Sequence, residues 1–505
     1  MILTVDLGSS VTKVALWGAR GLEGLAGVPL RTAHPRPGWS EQDPHDWWAS
    51  LTSACGTLRA EAPAAFASIE VIGCTGARQT VVLADADGGP LGPAILWSDR
   101  RAGAEATTLA TAPPADAVGE NAGPAGDLST PIDAASVAAK LAWLSDHEGE
   151  RLDLCAWILS PRDLVAWWLT GVVATDPTMA SRSGLYDPAG NVVAELAGDS
   201  ARKLAPVVPS EGVTGALTVR AAEGLGLTAG TPVVIGAGDR PCEVIGSGAT
   251  ESGPMVSWGT TANVSMPVRR RPDRSVPGLV VSRAADDGWL IAGGLSSAGS
   301  LIDWLGRLTG HPPEELADLA RGCGPGAGGV VAVPWLDGAR APWWRDDATA
   351  GFAGLRPVHG PAELARAVFE SVAWDLQRCL EIMSRRRPAG PPLSELRLGG
   401  SGSGVAVWTE VLTGTTGLPV TRRRSGQAAS AGAAVLAARA VGMESHLDLV
   451  DPPGARTDPE PGAVAAYRSL RQGSDRMSAA LLGLARGLPP AGDDGRPDPG
   501  DRPCA

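Results

Sequence analysis

The feature that most restricts the fold of this chain is a short pattern that occurs twice. Near the start, an apolar run at residues 2–5 delivers Asp6, Leu7-Gly8-Ser9-Ser10 makes a tight turn, and residues 11–17 begin a second strand. Short apolar runs bounded by turn residues read as buried strands. Halfway along the chain, residues 255–258 form another such run, Gly259-Thr260-Thr261 another hydroxyl-bearing turn, and residues 262–266 another strand, with a third over 289–292. Internal duplication of one supersecondary unit is the economical explanation. Two hydroxyl-rich turns from two similar lobes are suited to clamping a polyphosphate between them.

The first copy carries useful chemistry. Asp6 suits Mg²⁺, held directly or through water, while the turn amides with Ser9 and Ser10 suit phosphate oxygens, and Lys13 adds a positive charge. An ordinary hairpin with an Asp-x-Gly turn explains the same residues, and no G-x-x-x-x-G-K-[S/T] loop is present. A second stretch, residues 231–241, runs from a buried strand through Gly236 and Gly238 to Asp239. A carboxylate leaving a strand on such a turn suits a general base, or equally the N-cap of the next helix. Arg78 and Gln79 leave a strand at 69–74 into a loop, where they line a cleft or are simply solvated. The run from Gly399 to Gly404 opens onto a helix at 405–413, offering close backbone approach and a positive dipole end to a nucleotide.

The rest alternates helix and strand. Asp43-Pro44 sets up a helix start near His45; helices are expected at 46–59, 135–146, 164–169, 300–308, 361–383, 405–413 and 428–441, strands at 24–32, 80–83, 330–333, 396–398 and 418–421, and at 94–101 a strand running into a polar loop. Leu159 to Asp163 reads as the connecting segment before the helix at 164–169, residues 112–133 as an irregular insertion, and Trp143, Trp157, Trp167 and Trp168 as core packing. The Pro-, Gly- and Asp-rich tail at 486–505 reads as disordered.

A chain of 505 residues has room for roughly two to four domains. Its net charge of −12 argues against a nucleic-acid partner. The basic triplets at 269–271, 385–387 and 422–424 lack interleaved aromatics and read as solvated loops. Seven scattered cysteines point to reduced thiols, not to a disulfide framework or zinc site. With no leader and no long apolar run legible, the expectation is a cytoplasmic protein with no membrane partner.

Taken together, these motifs resemble the FGGY carbohydrate kinases over residues 1–443. D-L-G-S-S-V-T-K is similar to the family's first phosphate motif, S-W-G-T-T-A to its second, L-G-G-S-G-S-G to its adenosine motif and G-A-G-D to its catalytic-base motif. Residues 350–370 fit its C-terminal signature. Residues 38–48 and 94–101 are most similar to the xylulokinase branch. The resemblance implies an α/β fold of two actin-like, ribonuclease-H-like ATPase domains, at 1–240 on the sugar side and 241–480 on the nucleotide side, with a cleft between. It implies ATP and Mg²⁺ as cofactors, Asp239 as the base and Asp6 as the metal-organising residue. Ser9, Ser10, Lys13, Gly259 and Thr260 are implied at phosphates, and Gly299, Asp303, Gly400 and Gly404 at the adenosine. Arg78, Gln79, Asp239 and Arg240 are implied at the substrate, a small sugar or polyol with xylulose the leading candidate; a homodimer is allowed.

The departures bear on substrate. Ala77-Arg78-Gln79 replaces the Gln-Met-His of xylulokinases and resembles the Arg-Glu of glycerol kinases with an amide for the carboxylate. Arg240 suits a substrate carboxylate, as in a gluconate-like sugar acid, or a pair with Asp239. Residues 338–342 lack the usual Glu. A catalytically weak homologue acting as a ligand-binding regulator is the competing expectation, and an actin-like filament former a third.

Overall fold

The computed structural model describes residues 1–111, 132–272, 278–385, 390–443 and 447–485. Two mixed sheets form the frame. The first has six strands in the order Gly21–Pro29, Val11–Gly18, Ile2–Leu7, Val71–Gly76, Pro232–Gly238, Val213–Ala216. The second has seven, in the order Val280–Arg283, Trp289–Leu295, Ala262–Val268, Met255–Trp258, Leu396–Gly399, Val420–Arg423, Pro453–Thr457. In each, an antiparallel meander carries the Gly- and hydroxyl-bearing turn, and the strand before that turn pairs in parallel with a later strand. The repeated sequence unit is thus a repeated structural unit. The central parallel strands are buried on both faces, which is why Val71–Gly76 is buried along its whole length.

The helix Pro44–Glu61 starts where the sequence indicates: Asp43 caps it by accepting from the His45 N–H at 2.9 Å, and Pro44 opens the first turn. It buries Trp47 and Leu51 against the first sheet. In the second lobe, Trp258 and Trp408 stack at 4.2 Å, with Phe369 edge-on to Trp408 at 4.3 Å. The helix Pro361–Arg385 runs buried beside them.

The halves are interlocked rather than strung together. The helix Ala428–Ala440, late in the chain, packs on the first sheet with Ile2, Trp17, Val71 and Val234. Ser430 Oγ lies 2.6 Å from Thr4 Oγ1 and accepts from Trp17 Nε1 at 2.9 Å. This helix also crosses Asp239–Ser247 so closely that only glycine fits: a Cβ on Gly246 would lie 1.8 Å from Ala428 O, and one on Gly432 2.0 Å from Cys242 O.

Several local expectations change. The segment at 160–163 is not a connection but the start of the helix Pro161–Thr170, with Ser160 and Asp163 forming a capping box. The strand expected to open 94–101 is short, Ala94–Ile95, and the loop follows it. Arg423 is not solvated: it is the buried end of a strand, paired with Asp448 and donating to Asp451 O at 3.1 Å. The helices Pro313–Gly322 and Pro461–Ala485 were not foreseen. Residues 112–131, 386–387 and 486–505, for which an insertion, part of a basic triplet and a tail are expected, lie outside the described residues.

Candidate active site

Strand Pro232–Gly238 ends against Val71–Gly76, with Gly238 beside Gly76, and releases Asp239 at the top of the first sheet. Two devices fix that release. Gly236 has φ +68°, and a Cβ there would lie 1.8 Å from Cys74 O, so no other residue fits. Beneath, Arg162 is fully buried and donates to Asp163 Oδ1 at 2.6 Å, to Asp176 Oδ1 at 2.8 Å and to Gly236 O at 3.1 Å. Asp176 holds Thr178, whose hydroxyl accepts from the Gly238 N–H at 2.9 Å. The N-cap of the following helix is Gly238, not Asp239, so the carboxylate is not consumed by capping.

The Asp239 side chain is 43% exposed, and its Oδ1 accepts from Arg78 Nε at 3.1 Å and from the Arg240 N–H at 2.7 Å. The side chain that pairs with Asp239 is therefore that of Arg78. The Arg240 side chain turns away to pair with Glu243, one helical turn on, so of its two alternatives the side-chain pair with Asp239 is not formed. Glu243 Oε1 in turn accepts from Ser257 Oγ of the second sheet at 3.3 Å. Burial, followed by the charge of Asp239, raises the Glu243 pKa.

Asp6 stands opposite Lys13 and Thr75 in the strand registers. Burial is the main reason its pKa rises to about 7; Lys13 opposes the shift, and Asp239 and Glu243 add to it. Three carboxylates are thus within electrostatic reach of one another. Lys13 Nζ donates to Gln427 Oε1 at 3.4 Å, tying the first hairpin to the start of the crossing helix. Ser9 Oγ accepts from Trp97 Nε1 at 3.3 Å, and Ser10 is exposed.

In the second lobe the turn at 259–260 is bound to the start of the helix Gly299–Thr309. Gly299 N donates to Gly259 O at 3.0 Å and Ser300 N to Thr260 O at 3.1 Å. A Cβ on Gly299 would lie 2.7 Å from Gly259 O. Gly400, with φ +81°, passes so near Trp258 that a Cβ would lie 2.1 Å from its carbonyl. Both glycines therefore have packing reasons of their own. Gly404 and Asp303 are exposed.

Between the lobes lies a cleft of about 180 Å³ lined by Arg78, Gln79, Asp239 and Arg240 on one side and by Thr261, Asn263 and Trp344 on the other. The four expected substrate residues thus share one cleft. Trp97, Arg182 and Arg340 also line it. Sequence reasoning did not mark Arg182, which nothing local distinguishes. It did note the 338–342 stretch, though not that Arg340 faces the cleft. Gln79 sits at φ +63°, its carbonyl accepting from the buried Lys140 Nζ at 2.7 Å. Of the xylulokinase-like stretches Trp97 lines the cleft, while Arg101 is scaffold: it pairs with Glu41 and Asp99 at 2.7 Å each and lies 3.5 Å over the Trp39 ring.

Two α/β lobes with duplicated turns, facing each other across a polar cleft, define the actin-like ATPase fold. The model of the N-terminal domain of the FGGY family of carbohydrate kinases matches residues 1–246, and that of the C-terminal domain matches residues 255–441. The chain belongs to this family. It is 30% identical to the xylulose kinase of Escherichia coli K12, across 96% of this chain and all of that protein. It is equally 30% identical to the glycerol kinase of Methylibium petroleiphilum, across 88% of this chain and 92% of that protein. Its structure superposes with a TM-score of 0.85 on a xyloylose kinase from Brucella ovis, at 27% identity over 95% of this chain and 99% of that one.

Proposed function

We propose that this carbohydrate kinase transfers the γ-phosphoryl group of ATP to a hydroxyl of a small sugar, polyol or sugar acid, with Asp239 as the base. The observation that carries this reading is Asp239, anchored through Oδ1 by Arg78 and the Arg240 N–H, in a cleft that Thr261 of the second turn also lines. Oδ2 is then left for the substrate hydroxyl. As phosphoryl transfer asks for positioning and charge neutralisation more than covalent chemistry, one oriented carboxylate suffices as base.

Among the described residues no group of three or more ligating side chains forms a metal cage. Mg²⁺ in such sites needs only one or two carboxylates besides the substrate phosphates. Asp6 fits that demand, since a nearby cation would relieve the burial and like-charge repulsion that push its pKa to about 7. Bound there with ATP, Mg²⁺ would neutralise charge on the transferring phosphates. Ser9, Ser10, Lys13, Gly259 and Thr260 would hold the phosphates, and the 299–303 and 400–404 segments the adenosine. Xylulose is the neutral candidate substrate, and relatives named for both xylulose and glycerol at equal identity leave the acceptor to the cleft residues. A coupled ADP-release screen over pentuloses, polyols and aldonates tests the reading: at least one should stimulate turnover well above the ATP-only rate, and stimulation by none would reject it.

A further inference from the structure

Four arginines line the cleft, and their charge balance is uneven. Arg78 is paired with Asp239, Arg240 with Glu243, and Arg340 with Asp133 at 3.4 Å. Arg182 has no such partner among the described residues. It is only 8% exposed, its Nη2 donates to the neutral Gln79 Oε1 at 2.6 Å, and its Nη1 has no acceptor. The Gln79 Nε2 also lacks an acceptor. Burial, then the charge of Arg78, push the Arg182 pKa down to about 9; Arg340 adds to the shift, while the more distant charges of Asp133 and Asp239 oppose it.

A buried cation is ordinarily paired, because desolvation without compensation is costly. Here two unsatisfied buried donors, one charged and one an amide, belong to adjacent residues that line the substrate cleft. A guanidinium Nη1 beside an amide Nε2 matches a carboxylate, which accepts at two oxygens and brings the negative charge that no direct partner supplies. A neutral hydroxyl can accept from such donors but brings no negative charge into direct contact with the guanidinium.

We propose that Arg182 and Gln79 form a carboxylate subsite, so that the preferred acceptor is a polyhydroxylated acid and not a neutral ketose or polyol. This rests on the phosphoryl-transfer reading for its catalytic consequence, but not for binding. Arg240, already paired with Glu243, is not the carboxylate ligand.

The test compares wild type with Arg182→Met and Arg182→Lys on aldonates and on polyols and ketoses of equal carbon number. Wild type should favour an aldonate in kcat/KM. Arg182→Met should reduce the acid-over-neutral preference by about 10²-fold, with Arg182→Lys restoring part of it. The same aldonate, without ATP, should raise the thermal unfolding midpoint of wild type and not that of Arg182→Met. Without ligand, the Met variant should melt no lower than wild type, since it sheds an unpaired buried charge; this separates loss of binding from loss of fold. Preference for a neutral substrate, or equal effects of Arg182→Met on acid and neutral substrates, would overturn the subsite. An Arg182-dependent melting shift with no ADP release on any compound would leave the subsite standing and reject the kinase reading instead.

Discussion

Replacing Arg162 by Met should be among the most damaging single changes in the first lobe. The guanidinium is wholly buried and donates to two carboxylates, Asp163 and Asp176, and to the Gly236 carbonyl. Methionine approximates the volume but leaves both carboxylates without their cation. Removing one partner from a buried ion pair typically costs ~3–5 kcal/mol, because the remaining charge stays desolvated. An exposed pair such as Arg456 with Asp458, whose side chains are 52% and 69% exposed, should be worth no more than ~1 kcal/mol. The assay is chemical denaturation of the full chain, followed through the transition of the first lobe, with Arg456→Met as the control. Because Asp176 also holds Thr178, whose hydroxyl fixes the Gly238 N–H, turnover should fall as well, even where the variant remains folded. A stability loss below ~1 kcal/mol with normal turnover would refute the claim that this network places Asp239.

Two further changes probe the site from other directions. Asp6→Asn should stabilise the ligand-free chain at pH 8 while impairing turnover. A carboxyl raised to about 7 from the ordinary 3.8 holds its proton longer folded than unfolded, so it makes stability decline as pH rises from about 4 to 7. The gain from Asn should thus be roughly 2–4 kcal/mol above pH 7 and vanish near pH 4, read as unfolding midpoints across pH. Mg²⁺ with a nucleotide should stabilise wild type more than the variant; equal stabilisation would remove Asp6 from the metal site. Gly432→Ala should destabilise by more than ~2 kcal/mol, since its Cβ would meet the Cys242 carbonyl at 2.0 Å, and a neutral result in denaturation would contradict the tight crossing.

Much of the architecture was legible because it is written locally. Apolar runs ending in Asp6 and Trp258 announce buried strands, and Asp43-Pro44 announces a helix start; all three are as the sequence suggests. Ser160-Pro161-Arg162-Asp163 also carried a local signal, the cap residue followed by an acid three positions on, but its polarity disguised it as a connection. What could not be read is long-range pairing. Arg182 meets Gln79 across 103 residues, and Arg78 meets Asp239 across 161. A basic triplet likewise cannot reveal that its middle member, Arg423, ends a strand and is buried. Arg78, Gln79 and Asp239 were legible as cleft candidates because polar residues leave buried strands there, and Arg240 only through the family resemblance, whereas the charge balance within that cleft exists only once the lobes are assembled.

The central claim is most directly tested by Asp239→Asn in the coupled ADP-release assay, with whichever acceptor the screen identifies. The variant keeps size and fold but cannot take a proton, so kcat should fall ~10²–10⁴-fold with the unfolding midpoint within a few degrees of wild type. Turnover within a few-fold of wild type would contradict the account.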